Sequence, residues 1–238
     1  MLLRQKLGYS VLALSSTIPH SGKGIFVNGF APAGSLLAFF PGQVWTKEYL
    51  LNSHESSTSY FKDDPNYMLS LRYDDILIDS RKASCTILSH DQSPSNPFAL
   101  GHIANHTPLF SQIMTLNSTT SSSHHNEVIN SNNPTTIPPN CHTVMLNFTQ
   151  GMKLQQKEIF EKYVPNTYAR PPQLLGSKLF DRDVISMHGM GLLASRDVSD
   201  EELFYDYRFS PTQENYPPWY HIVDEIDLHN RWSHEKKT

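Results

Sequence analysis

The chain has 238 residues, 38% apolar and only 18% charged, with Ser, Thr, Asn and Pro making up the difference. A formal charge of −4 and a pI near 6.3 give no electrostatic footprint for nucleic acid or an anionic membrane surface. Two cysteines, Cys85 and Cys141, exclude a disulfide framework and a four-thiolate zinc centre, and no apolar run approaches the ~20 residues of a membrane span.

Strand signals dominate in chain order. Arg4 and Lys6 before Leu7–Leu14 faintly resemble a signal peptide. Gly8, Tyr9 and Ser10 interrupt that run, and Ser10–Ile18 reads better as a first strand. Gly24–Phe30 and Ser35–Phe40 are short aliphatic and aromatic runs, divided by the turn sequence Ala31-Pro32-Ala33-Gly34. Met68–Ile78 predicts a hairpin that bends at Asp74-Asp75. Thr143–Phe148 alternates apolar with polar residues, the pattern of a half-buried strand. Gly151–Tyr163, ended by Pro165, is the one convincing helix. Val184–Ala194 and Glu202–Phe209 complete the list, which predicts a mostly β fold with few helices.

Leu109–Pro139 stands apart. Rich in Ser, Thr, Asn and Pro, it lacks the apolar area to offset its ordering entropy, so a loosely held insertion is expected, with a recognition loop as the functional alternative. Its His124-His125 pair is too small a ligand set to predict a metal site.

Three segments carry the chemistry. The first is His20-Ser21-Gly22-Lys23-Gly24, where two glycines before a strand let backbone approach a ligand, although taken alone a tight turn explains them better. The second is Leu100-Gly101-His102-Ile103-Ala104-Asn105-His106-Thr107-Pro108, continued beyond the insertion by Pro138-Pro139-Asn140-Cys141. Its amide and imidazole can hold a polar ligand or satisfy one another in a core. The third is Asp200-Glu201-Glu202-Leu203-Phe204-Tyr205-Asp206-Tyr207, where alternation points Leu203, Tyr205 and Tyr207 one way and Glu202, Phe204 and Asp206 the other.

In that order, from about Gly8 to Tyr220, the three segments resemble the SET domain, with the Asn-His and Pro-Asn signature split by the insertion. Phe160–Asn166, Asp75–Asp79 and Asn96-Pro97-Phe98-Ala99 look most like SET domain-containing protein 9 and its relatives. Leu-Gly-His-x-Ala-Asn-His and Pro217-Pro218-Trp219-Tyr220 are also similar to histone methyltransferases without a zinc-binding tail.

The resemblance implies the β-clip fold of small curved sheets with a C-terminal pseudoknot, over residues 1–220, carrying the insertion at 109–139 and followed by a tail at 221–238. It implies a protein-lysine N-methyltransferase that uses S-adenosyl-L-methionine, acts as a monomer on a lysine-bearing protein and binds neither nucleic acid, membrane nor metal. It points to the nucleus or cytoplasm. By family pattern Tyr207 is catalytic, and Phe40, Tyr205 and Tyr207 line the substrate channel. Gly22, Lys23, Gly24, Asn105 and His106 hold the cofactor. Trp219 either covers its adenine or packs in the core. Phe40 stands where many relatives have a Tyr, Thr107 replaces the usual Ser, and Thr143 is near another channel position. A catalytically weak module that binds proteins is therefore an alternative, and a β-rich secreted glycoprotein, suggested by the sequons at Asn105, Asn117 and Asn147, is a third reading. Substrate choice is expected to come from the Trp45–Tyr67 loop, the tail or a partner.

Overall fold

The computed structural model describes residues 2–46, 69–72, 74–81, 96–114, 136–149, 164–168, 185–211 and 216–233. The predicted helix Gly151–Tyr163, the His124-His125 pair, the core of the insertion and the loop beyond residue 46 lie outside the described residues. The protein is mostly β, built from short strands with few helices among the described residues. Two compact units divide the chain, and neither is continuous in sequence.

The first unit comprises Met1–Ala33, Ile103–His142 and Ala194–Thr238. Helix α1 (Leu2–Leu7) was not predicted; it stops at Gly8, whose φ of 86° suits only glycine and whose N–H caps the Arg4 carbonyl at 3.0 Å. Strand β1 (Tyr9–Ser15) then pairs antiparallel with β2 (Lys23–Ala31), in register from Tyr9 opposite Gly29 to Ser15 opposite Lys23. The first strand is shorter than expected because Ser16 already turns: its N–H donates to the Gly22 carbonyl at 2.9 Å, closing a hairpin loop. Val11, Ile25, Val27 and Ala31 are buried, placing the core on one face of this sheet.

The other edge of β2 takes β11 (Val198–Ser199), opposite Ala31 and Phe30. The chain continues along β2, with Leu203 N–H on the Ile25 carbonyl at 2.7 Å, and then leaves it. There β12 (Phe204–Tyr205) pairs in parallel with β7 (Asn105–His106), Phe204 opposite Asn105 and Tyr205 opposite His106. On its other side the same stretch meets Asn140, whose N–H donates to the Phe204 carbonyl at 3.1 Å. The Asn140 side chain copies a strand partner: Oδ1 accepts from Phe204 N–H at 2.8 Å and Nδ2 donates to the Glu202 carbonyl at 2.7 Å. Residues 202–207 therefore run between two arms of chain, 104–107 and 140–141. Those arms are clasped to each other by the bond from Thr107 Oγ1 to the Ile137 carbonyl and by Ile137 N–H on the Pro108 carbonyl at 3.1 Å.

The ends of the expected insertion are thus not loose. Leu109 bridges Thr136, and Phe110–Met114 forms helix α2, with Gln112 Oε1 accepting from Leu109 N–H at 2.8 Å. Composition hid these hydrogen bonds, which need little apolar area and mostly join the two ends of the insertion across its length. Helix α3 (Glu225–Trp232) lies in the expected tail. Asp224 caps it, accepting from Asp227 N–H at 2.9 Å, acidic residues occupy its first turn, and it buries Leu228.

The second unit comprises Gly34–His102 and Thr143–Leu193. One sheet has the order β3 (Leu36–Phe39), β10 (Ile185–Ala194), β8 (Cys141–Thr149). Another has the order β5 (Leu69–Leu71), β6 (Leu77–Asp79), β4 (Gly42–Trp45), β9 (Asn166–Tyr168). The predicted hairpin is β5–β6, and Asp75 takes the left-handed φ of 60° at its bend. Leu37, Phe40, Val44, Ile78 and Leu192 are buried at its core.

Candidate functional site

The first unit gathers the Gly22–Gly24, Asn105-His106 and Tyr205–Tyr207 segments together with Trp219. Parallel pairing of β7 with β12 does this, joining residues a hundred positions apart. The orientation of the Asn105 amide follows from its surroundings. The Lys23 carbonyl and the Glu202 carboxylate both lie 3.1 Å from Nδ2, and since neither can donate, the nitrogen faces them. Asn105 thereby ties the hairpin loop to β7, and its Oδ1 takes no hydrogen bond from any described residue.

The two glycines do different jobs. At Gly24 a side chain is excluded by the protein itself, because a Cβ there would stand 1.9 Å from Glu202 Oε1. At Gly22 a Cβ would meet nothing within 4 Å, and φ is 76°. Gly22 thus has both the open space and the left-handed backbone that a close ligand contact or a turn requires.

His106 is a neutral clamp. Its Nε2 lies 3.0 Å from the His221 carbonyl, which can only accept, so the proton sits on Nε2. Nδ1 then accepts from Tyr207 N–H at 3.2 Å. Burial lowers its pKa to about 4, assisted by repulsion from His221. Asp206, whose carboxylate is 3.8 Å from Nδ1, does not charge it; burial raises the Asp206 pKa instead. The imidazole thus fixes both the backbone at Tyr207 and the segment entering α3.

Around it stand aromatic rings. The Tyr207 ring centroid is 4.9 Å from that of Tyr205, 5.3 Å from His106 and 5.9 Å from Trp219, the last edge-on. Tyr207 Oη donates to the Ala104 carbonyl at 2.9 Å, which orients the phenol and leaves its oxygen lone pairs to accept. Burial pushes both phenols well above the ordinary tyrosine value, so both stay un-ionised. Trp219 is 39% exposed, which argues against core packing, whereas neighbouring Tyr220 is buried. His221 presents buried ring nitrogens with no partner among the described residues.

No family model matches the chain, and no curated protein matches it.

The expectation for 202–209 needs correction. Only Phe204–Tyr205 is strand, and Glu202, Leu203 and Phe204 are buried in succession rather than alternately, because chain flanks them on both sides. A left-handed Arg208, with φ of 52°, ends the extension. Tyr205 and Tyr207 nonetheless lie ring to ring. Phe40 belongs to the second unit, where it is fully buried, its N–H on the Met190 carbonyl at 2.8 Å and its own carbonyl accepting from Asn166 Nδ2 at 2.8 Å. In the same unit burial lowers the His102 pKa to about 4.

Sequence reasoning missed Ser16 and Thr17, and placed Glu202 and Asn140 in the chemistry-bearing segments without giving either a role. Glu202 had a signal, a carboxylate beside Leu203 and Phe204; Ser16 and Thr17 had none. Among the described residues no group of three or more His, Cys, Asp or Glu could hold a metal ion, and no helix is long and apolar enough to cross a membrane. Cys141 is buried and reduced, donating from Sγ to the Phe204 carbonyl at 3.3 Å, and burial raises its pKa far above the usual thiol value.

Proposed function

We propose that this protein is a SET-domain protein-lysine N-methyltransferase that uses S-adenosyl-L-methionine. The observation that carries the reading is the β7–β12 pairing between clasped arms, the arrangement expected of the family's pseudoknot, which gathers Asn105, His106, Tyr205, Tyr207 and Trp219.

The residues fit the cofactor's chemistry. Asn105 Oδ1 is an unspent acceptor suited to an ammonium group, Gly22 leaves backbone open to close approach, Trp219 offers a part-exposed ring for a purine, and His221 has unused polar atoms. When bound, S-adenosyl-L-methionine supplies an electrophilic methyl on a sulfonium.

The chain's own residues would then prepare the nucleophile. A lysine amine attacks only when neutral, and its ordinary pKa of ~10.4 opposes that. Un-ionised Tyr205 and Tyr207 offer no counter-charge to an ammonium, and exclusion of water by such buried groups disfavours the charged form. Tyr207 is too weak an acid to serve as a base at neutral pH. Its role is to accept from the amine N–H and align the lone pair, while the Ala104 bond holds the phenol still. His106 stays neutral and works by holding the Tyr207 backbone.

Calorimetry with S-adenosyl-L-methionine, followed by labelled-methyl transfer to a protein extract and mass spectrometry of the lysines gained, tests this. Absence of binding would end the reading. Binding without transfer would favour a protein-binding module instead, a role that Phe40, lacking a channel hydroxyl, would suit.

A further inference from the structure

Glu202 is a buried acid that the proposed chemistry leaves unused. It is 3% exposed, and each carboxylate oxygen receives two hydrogen bonds. Oε1 accepts from Ser16 Oγ at 2.7 Å and from Asn105 Nδ2 at 3.1 Å. Oε2 accepts from Thr17 N–H at 2.7 Å and Thr17 Oγ1 at 2.6 Å. All four donors are uncharged. A single buried acid thus gathers four donors from two separate segments, and any residue without its two oxygens would leave them unpaired.

What the four bonds accomplish is local. They draw the two residues that open the hairpin loop, Ser16 and Thr17, against the same carboxylate that orients the Asn105 amide. The carboxylate also occupies the notch left by Gly24. Ser16 in turn accepts from Ile18 N–H at 3.0 Å, and its N–H holds the Gly22 carbonyl at 2.9 Å. One side chain therefore sets the start of the loop, the backbone at Gly22–Gly24 and the direction of the amide.

We propose that Glu202 is the positioning residue of the cofactor cradle: it fixes the Gly22–Gly24 backbone and Asn105 relative to each other. This rests on reading the site as one for S-adenosyl-L-methionine. Glu202 touches no reacting atom and acts through Ser16, Thr17 and Asn105.

The test compares wild type with Glu202→Gln and, because a buried change can prevent folding, with the loop double variant Ser16→Ala/Thr17→Val, which removes two of the four bonds at a part-exposed loop. Calorimetry should find S-adenosyl-L-methionine binding weakened on the order of tenfold in Glu202→Gln and a few-fold in the double variant. The KM for the lysine substrate at saturating cofactor should be unchanged. Hydrogen exchange should quicken at amides 16–24 and not in Ile185–Ala194. Folded variants that bind like wild type, or exchange that quickens throughout, would overturn the role of Glu202 and leave the proposed function standing. A wild type that binds no cofactor would overturn both. If Glu202→Gln does not fold, the double variant decides.

Discussion

Two polar clusters, one in each unit, bury comparable chemistry and differ in how completely it is satisfied. In the second unit Arg72 has no exposed side-chain surface. Its Nε and Nη2 fork onto Asp74 at 3.0 and 2.8 Å, Nη2 also reaches Asn147 Oδ1 at 2.7 Å, and Nη1 donates to the Leu146 carbonyl at 3.0 Å and to the Gly189 carbonyl. Every guanidinium N–H is used, which is how a structural arginine is held. The cluster in the first unit instead leaves Asn105 Oδ1 and the His221 ring nitrogens without a hydrogen bond from the described residues, beside a part-exposed tryptophan. A closed network stabilises the fold, whereas an open one has capacity left for a ligand.

Arg72→Met should break the closed cluster at the largest cost, about 3–5 kcal/mol of unfolding free energy by chemical denaturation. Asp74 can return to water, but the carbonyls of Leu146 and Gly189 are stranded. A loss below 1 kcal/mol would show that the cluster is not a support.

Acid should act next. His106 and His102 have pKa values of about 4, depressed from 6.5 in the unfolded chain. Their neutral forms therefore contribute stability that is fully present above pH 6.5 and is lost as pH falls toward 4. The loss is on the order of 3 kcal/mol for each imidazole. Stability that stays flat across that window would mean both imidazoles are already hydrated.

On the proposed function, Tyr207→Phe should lower methyl transfer about a hundredfold while cofactor affinity stays within a few-fold, since only the Ala104 bond and the accepting oxygen are removed. Equal loss of both would make Tyr207 structural. The smallest effect on folding is expected from His221→Leu. With no hydrogen bond on the ring nitrogens to strand, and an apolar side chain still packing against the His106 ring, stability should move by less than about 1 kcal/mol, yet on the proposed function cofactor affinity should fall. Unchanged affinity would remove His221 from the open cluster.

Much of this was legible residue by residue. The strands at Gly24–Phe30, Ser35–Phe40, Thr143–Phe148 and Val184–Ala194 appear within two residues at each end, because apolar runs bounded by turn residues are written locally. The hairpin at Asp74-Asp75 was legible for the same reason. Helices α1 and α3 went unread, although Gly8 and Asp224-Glu225 carried stop and start signals, because elements of six and eight residues show too little periodicity.

The sequence by itself determined a β-rich chain and which residue types could carry chemistry: an amide–imidazole pair, two phenols and a glycine-bounded turn. Only the tertiary structure decided which of them meet and in what state. The parallel pairing of residues a hundred positions apart, the neutral tautomer of His106 and the four bonds on Glu202 all come from groups distant in sequence. Hydrogen bonding and desolvation depend on distances through space, which local order does not encode.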